Sequence, residues 1–200
     1  MEIDNRVLIG IAVIGVAGLF IFFGGQKEQI SFSDGVSKVN GLWVESGFSR
    51  DSLSELNQSQ TSSEQLDSLD SELLLFKDSL SEYDQDKDVD ALRDFVEIQL
   101  YFVEELKLAF KIKRIKNELG EATEGDVCLY YDELNALGEN TILLNQQLKI
   151  MNEAIYSFSE EYPEFLDESN LEFLLVNELD FDSVITENQE ILGQLKEACI

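Results

Sequence analysis

The stretch that divides this chain lies near its start: residues Val7 to Phe23 read VLIGIAVIGVAGLFIFF and carry no charged or polar side chain. Together with Gly24 and Gly25, the stretch would form a helix of about 28 Å, close to the roughly 30 Å hydrocarbon core of a bilayer. A buried helix of that length in a water-soluble domain normally keeps a polar stripe, which is missing here. We therefore predict a single N-terminal transmembrane helix, with residues 1–25 as the membrane anchor.

The residues before this stretch distinguish an anchor that is retained from a signal peptide that is cleaved. Met1 to Arg6 carries two acids and one base, whereas a cleaved signal peptide begins with a basic region. Cleavage after Ala17 is the alternative, and it would leave the apolar residues from Leu19 to Phe23 at the new N-terminus. We expect an uncleaved signal anchor, whose flanking charges do not fix its orientation.

Composition indicates that the rest of the chain is one acidic, helical domain. The 200-residue chain contains a single proline and has a net charge of −27. Such a charge repels nucleic acid, so nucleic-acid binding is excluded. The sequence has no histidine, which removes the commonest general base and the commonest zinc ligand. We expect a protein that is not an enzyme and binds no cofactor.

The segment after the anchor, residues 26–50, mixes glycine, serine and scattered apolar side chains without helical periodicity. We predict a juxtamembrane connector with a short extended piece from Leu42 to Val44. The only tryptophan, Trp43, would lie at the membrane interface or cover one end of the domain.

Residues 51–200 show apolar residues at alternating steps of three and four, which is typical of amphipathic helices. The first helix is predicted to begin at Asp51 or Ser52, where Ser52-x-x-Glu55 has the form of a capping box, and to reach Tyr83. A second start, at Thr61, is the alternative.

The later helices have clearer ends. The second is predicted from Asp88 to Glu118, with Gly120 as its stop, and the third from Asp126 to just before Pro163. The return segment, residues 164–200, is predicted as two pieces because its apolar phase is interrupted at residues 180–183.

Four helical segments joined by short turns predict an all-α fold. We expect an antiparallel up-down-up-down four-helix bundle over residues 51–200, with the last helix broken. A long coiled-coil stalk is the alternative architecture, but the broad apolar faces of the second and fourth segments favour a closed bundle.

The two cysteines would meet in this bundle. If the third and fourth segments are antiparallel, Cys128 at the start of one and Cys199 at the end of the other lie at the same end. We predict a disulfide between them, which would favour an extracytoplasmic domain, and two free thiols in a reducing cytosol are the alternative.

The turn between the first two helices carries alternate carboxylates, and we name them as calcium candidates: Asp84, Asp86, Asp88 and Asp90. They resemble the start of an EF-hand loop, but Val89 stands where that loop needs glycine and Phe95 where it needs a bidentate glutamate. An acidic turn that caps the second helix explains the same residues.

Two further features concern the surface. The second helix ends in a basic cluster, Lys107, Lys111, Lys113, Arg114 and Lys116, which would face anionic headgroups in the simplest geometry or pair with nearby glutamates. Asn57 begins a glycosylation sequon, Asn57-Gln58-Ser59, and is a candidate for modification if the domain is extracytoplasmic.

These expectations lead to three functional hypotheses. The first is a single-pass protein of the cell membrane, held by Val7 to Phe23, whose extracytoplasmic bundle acts through protein contacts with an unknown partner at the cell surface or envelope. The second is a ligand-binding sensor or carrier with a cavity among Phe95, Phe102, Tyr130 and Leu134. The third is a filament subunit resembling type IV pilins, although the sequence lacks the recognisable processing site.

Overall fold

The fold was taken from a computed structural model, which describes residues 28–47, 60–120, 127–176 and 179–199. In these ranges the chain forms six α-helices and no strand, so the all-α prediction is confirmed. The helices are α1 (Phe32–Glu45), α2 (Gln60–Ser79), α3 (Lys87–Leu119), α4 (Tyr131–Glu161), α5 (Leu166–Ser169) and α6 (Phe181–Cys199). Short 3-10 turns occupy Leu80–Glu82, Pro163–Phe165 and Leu171–Leu174.

Several predictions fall outside the described ranges. They are the anchor at Val7 to Phe23, on which the filament hypothesis also depends, the capping box at Ser52, and the sequon at Asn57. Among the helices that the structure does describe, none combines the length and the apolar character needed to cross a bilayer.

The longest helix, α3, has the ends that its sequence predicts to within one residue. The Asp86 side chain accepts a hydrogen bond from the Val89 N–H and begins the helix. Gly120 ends it with a φ of 54°, a left-handed conformation that suits glycine, and donates its N–H to the Lys116 carbonyl. Its 33 residues correspond to about 50 Å.

The long helices alternate in direction, as predicted. Lys77 in the second half of α2 binds Glu97 in the first half of α3, and Asp70 earlier in α2 binds Lys107 later in α3, so α2 and α3 are antiparallel. Gln147 of α4 donates to the Tyr101 carbonyl at 3.3 Å, and the two ends of that pair of helices meet where Lys87 binds Glu164. α4 ends before Pro163 as expected but begins at Tyr131, because residues 127–130 form a turn.

The predicted break in the return segment is confirmed. After α5 the chain reverses at Asn170, which has a φ of 50°, and continues through the 3-10 turn at Leu171–Leu174. α6 starts afresh at Phe181, where the Asp180 carboxylate accepts the Ser183 N–H.

The prediction of a non-helical connector over residues 26–50 is wrong for Phe32–Glu45, which forms α1. Ser31 caps this helix by accepting the Asp34 N–H, and Phe32 and Trp43 at its two ends are 1% and 2% exposed. Gly35 allows close packing on α3, since a Cβ there would lie 2.2 Å from the Leu92 side chain. The expected extended piece at Leu42 to Val44 is part of this helix.

The predicted four-helix bundle has the return segment as its fourth helix. In the structure, α1 takes that place in the hydrophobic core. It runs parallel to α3, because the Phe32 N–H donates to Asp88 and the Trp43 indole donates to Gln99 at 3.1 Å. The Phe32 ring stacks on Phe165 at 4.4 Å and lies 6.0 Å from Phe158 of α4. The core therefore consists of α1, α2, the first half of α3 and the second half of α4, covered at one end by the turns after Pro163.

The other part of the molecule is an arm, which we define as α6 together with the first half of α4. α6 packs along α4, and none of its residues from Phe181 to Cys199, all of which the structure describes, is buried. The arm thus lies at the end of the molecule away from Phe32, beside the second half of α3.

Candidate functional site

The acidic turn before α3 serves first to begin that helix. Asp86 is its N-cap, and the Asp90 carboxylate accepts a hydrogen bond from Arg93 at 2.9 Å. Negative charge in the first turn of a helix is favourable because the helix dipole is positive there. These two candidates therefore have the capping role that was the alternative to calcium binding.

The other two aspartates of the turn lie against the start of α1. Asp88 accepts the Phe32 N–H at 2.9 Å, and the Asp84 N–H donates to the Glu28 carbonyl. In the described ranges, no group of three or more carboxylate, cysteine or histidine side chains is arranged to hold a metal ion. The turn fastens α1 to α3, and the described chain begins at this end of the molecule.

The predicted basic cluster does not form one exposed patch, because its first residue, Lys107, is mostly buried. Lys107 is only 15% exposed and binds Asp67, Asp70 and Glu104 at 3.2, 2.9 and 2.8 Å. Burial disfavours its charge, but the hydrogen bonds to Glu104, Asp70 and Asp67 outweigh this and raise the pKa of Lys107 above its usual range. Lys107 is therefore a clamp between α2 and α3.

The remaining basic residues of the cluster lie on the exposed last turns of α3, where Arg114 binds Glu118. The start of the described chain is fastened at Asp84 and Asp88, so Arg114 lies about 40 Å away along α3. The simplest geometry expected from the sequence has the basic end facing the membrane, whereas the described part of the connector begins at the opposite end of α3. The reason is α1, which carries the chain along the length of the core before α2 begins.

A second group of titratable residues joins α2, α3 and α4 beside the core. Glu97 binds Lys77 and accepts the Tyr101 hydroxyl, and these hydrogen bonds lower its pKa. Burial, and then the hydrogen bond to Glu97, raise the pKa of Tyr101 to about 12. Asp94 differs: burial and the nearby Glu161 charge raise the pKa of its carboxyl. The group stabilises helix contacts and leaves Tyr101 protonated at neutral pH.

Glu105 is the most perturbed carboxyl on α3. It lies on the same part of the helix as the buried residues Phe102 and Val103, and it is itself partly buried. Loss of hydration raises the pKa of Glu105 to about 7. The side chain is thus partly protonated at neutral pH, and the stability of this region depends on pH.

The predicted disulfide joins Cys128 and Cys199 and closes the far end of the arm. The Cα atoms of the two cysteines are 5.2 Å apart, and Cys128 lies in the exposed turn before α4. α6 also packs along α4: Lys149 binds Asp182 at 2.8 Å, and Gly138 lets Leu192 pack closely against α4. A Cβ on Gly138 would lie 2.4 Å from the Leu192 side chain.

Large apolar side chains are exposed on the arm. Leu129 beside the disulfide is 75% exposed, Ile191 on α6 is 53% exposed, and Leu143 on α4 is 49% exposed. The exposed acidic residues of α4 and α6 in the arm are Asp132, Glu139, Asp182, Glu187, Glu190 and Glu197. The arm therefore exposes large apolar side chains on helices that also carry exposed acidic residues.

The four residues expected to line a ligand cavity do not come together. Phe95 and Phe102 lie in the core, against Phe32 and Trp43. Tyr130 and Leu134 lie at the start of α4, which, because α4 is antiparallel to α3, is beside the far end of α3. The structure thus separates the proposed cavity into two regions.

Sequence reasoning missed Glu105, the Lys107 clamp and one further contact in the arm. Asn152 of α4 donates to the Val176 carbonyl and accepts the Val176 N–H, which fixes the chain just before α6. Asn152 on the inner side of its helix was an available signal of such a contact, because buried amides need hydrogen-bond partners. The register between the helices, which decides the partner, is not visible in the sequence.

Comparisons with known proteins add no relative. The chain matched no protein-family model, no curated protein and no solved structure.

Proposed function

We propose that this protein is a membrane-anchored, non-enzymatic helical module that presents its arm to a protein partner. The anchor would be Val7 to Phe23, whose length and apolar character suit a bilayer. The module would lie outside the cytoplasm, where a disulfide such as Cys128–Cys199 is stable.

The observation that carries the proposal is the distribution of buried residues. The buried apolar side chains of the described ranges lie mainly in α1, α2, α3 and the second half of α4, whereas α6 contributes none. A helix that adds nothing to the core, yet carries the exposed Ile191 together with exposed acidic residues, is better explained by binding than by stability.

The order of the chain supports the same conclusion. Residue 28, the first described position after the predicted anchor, lies beside Asp84 in the turn before α3. The disulfide joins the turn before α4 to the end of α6, at the end of the molecule away from residue 28. An anchored module would therefore point its arm away from the membrane. The net charge of −27 favours a partner whose docking surface is basic and partly apolar.

Membrane attachment is tested by fractionating cells that express the full chain or a chain without residues 1–25. We expect the full chain in the membrane pellet after an alkaline wash and the shortened chain in the supernatant. Recovery of both chains in the supernatant would contradict the anchor.

Presentation of the arm is tested by placing a photo-crosslinking amino acid at Ile191 in cells. A matched control at Leu75 of α2, which is 69% exposed but lies outside the arm, keeps residue size and exposure similar. We expect crosslinks to a discrete partner from Ile191 and not from Leu75. Equal crosslinking from both positions, or crosslinking from Leu75 alone, would refute the arm as the contact surface.

A further inference from the structure

The arm has a covalent link at its tip and a polar clamp at its base. The link is Cys128–Cys199, and the clamp is the pair of hydrogen bonds, 2.9 and 3.2 Å, between Asn152 and Val176. Asn152 is buried, so the clamp belongs to the folded body whatever happens at the tip. The part of the arm between clamp and link is α6.

We propose that the disulfide is a redox latch: reduction releases α6 from α4 while the core stays folded. α6 packs along α4, but none of its residues is buried there. The Lys149–Asp182 ion pair is exposed, and exposed ion pairs contribute little to stability. The seam at Gly138 and Leu192 joins two helices only, and most of the stability of a helix in a protein comes from packing of its apolar face.

The core does not depend on the latch. Its most deeply buried aromatic side chains, Phe32, Trp43, Phe95 and Phe158, all lie outside α6, and the Phe32 ring contacts both Phe95 and Phe158. The loop that the disulfide closes contains α4, but α4 is held to α3 independently through Gln147 and Tyr101. Opening the latch therefore removes a constraint on α6 without removing a contact from the core.

The chemistry is thiol–disulfide exchange with a dithiol reductant. A thiolate of the reductant attacks the exposed Cys128 sulfur, forms a mixed disulfide with it, and releases the Cys199 thiolate. The second thiol of the reductant then displaces the Cys128 thiolate and closes the oxidised reductant. Two electrons pass from the dithiol to the protein disulfide, and the two protein thiolates take up protons according to pH.

Release would change the surface that the molecule presents. In the closed state Leu192 is packed against Gly138 of α4. In the open state the apolar side of α6, which includes Val184, Ile185 and Leu195, and the side of α4 that it covers both become accessible. The redox state of one bond would thus decide whether the arm is a closed hairpin or a free amphipathic helix.

Hydrogen exchange on the purified full-length chain, with and without dithiothreitol, tests the latch. We expect roughly tenfold or faster exchange for residues 181–199 after reduction, and no change for residues 89–103 of α3. Trp43, the only tryptophan, provides an independent readout, because it is buried in the core and its emission should not shift on reduction.

A variant with Cys128→Ser and Cys199→Ser is the matched control. It should exchange in α6 like the reduced protein, and dithiothreitol should not alter it. Reduction of the unmodified chain gives the same test without any substitution, so the result does not depend on how well the variant folds. Unchanged protection of α6 after reduction would overturn the proposal, and so would a parallel loss of protection in α3 with a shift in Trp43 emission.

Discussion

Replacing Glu105 with glutamine should remove the contribution of one carboxyl group to the pH dependence of folding. Burial raises the pKa of Glu105 from 4.5 to about 7, so the folded state binds a proton more tightly than the unfolded state does. Below about pH 4.5 both states are protonated and the group has no effect. As pH rises from there to about 7, the unfolded state ionises first, and stability falls.

The size of the effect follows from the shift. A difference of about 2.5 pKa units corresponds to about 3 kcal/mol of destabilisation once pH exceeds the folded-state pKa. Between about pH 5 and pH 8.5 the loss should be about 2.5 kcal/mol, because part of it has already occurred at pH 5. Glutamine has nearly the same shape and no charge, so the variant should lack this loss.

Urea unfolding followed by Trp43 fluorescence measures the difference, since this tryptophan is buried in the core. At each pH the free energy of unfolding of the variant is compared with that of the unmodified protein, which cancels the contributions of all other groups. The control Glu153→Gln makes the same substitution at an exposed glutamate on α4. A difference for Glu105→Gln that does not vary between about pH 5 and pH 8.5 would refute the account of Glu105 as a destabilised, partly buried carboxylate.

Two further predictions concern the Lys107 clamp between α2 and α3, and the first helix. Lys107→Met should lower the free energy of unfolding by about 1–3 kcal/mol, because it leaves Asp70 and Glu104 without their shared cation; urea unfolding in low salt measures it, and an unchanged midpoint would argue against the clamp. Phe32→Ala should cost about 3–5 kcal/mol by the same assay, since the ring is fully buried. A loss below about 0.5 kcal/mol is what a surface connector would give, and would show that α1 is not part of the core.

The parts of the fold that could be predicted are those set by local sequence. α3 begins at Asp86, an N-cap, and ends at Gly120, whose left-handed conformation is accessible to glycine, and both signals lie in the chain itself. The disulfide could be predicted because alternating helices bring Cys128 and Cys199 to one end whatever the details of packing. The break near Asp180 followed in the same way from an interrupted apolar phase.

The first helix was missed although a signal is present. Phe32, Val36, Val39 and Trp43 recur at steps of four, three and four, and all four are buried. Gly35 and Gly41 lower the intrinsic preference of this stretch for a helix, and a helix of 14 residues is marginal alone. Its stability comes from packing against Leu92 and Phe95, and the sequence does not show that these distant residues are its partners.

The candidate site was missed for a related reason. Periodicity places Glu105 and Lys107 on α3, but it does not give the offset between α3 and its neighbours. That offset decides that Lys107 meets Asp67 and Asp70, and that Glu105 loses its water. Side chains that act across helices therefore need coordinates, whereas caps and helix ends do not.

The length of α3 and α4 explains why the arm exists. α1 has 14 residues and α3 has 33, so α1 can cover less than half of its neighbour. The ends of α3 and α4 beyond Trp43 have to be covered by other elements, and α6 packs along α4 over part of that length. Apolar side chains such as Leu143 and Ile191 consequently stay exposed there. A disulfide at the tip restrains the element with the least burial, and the same shortage of burial is what leaves a surface available for a partner.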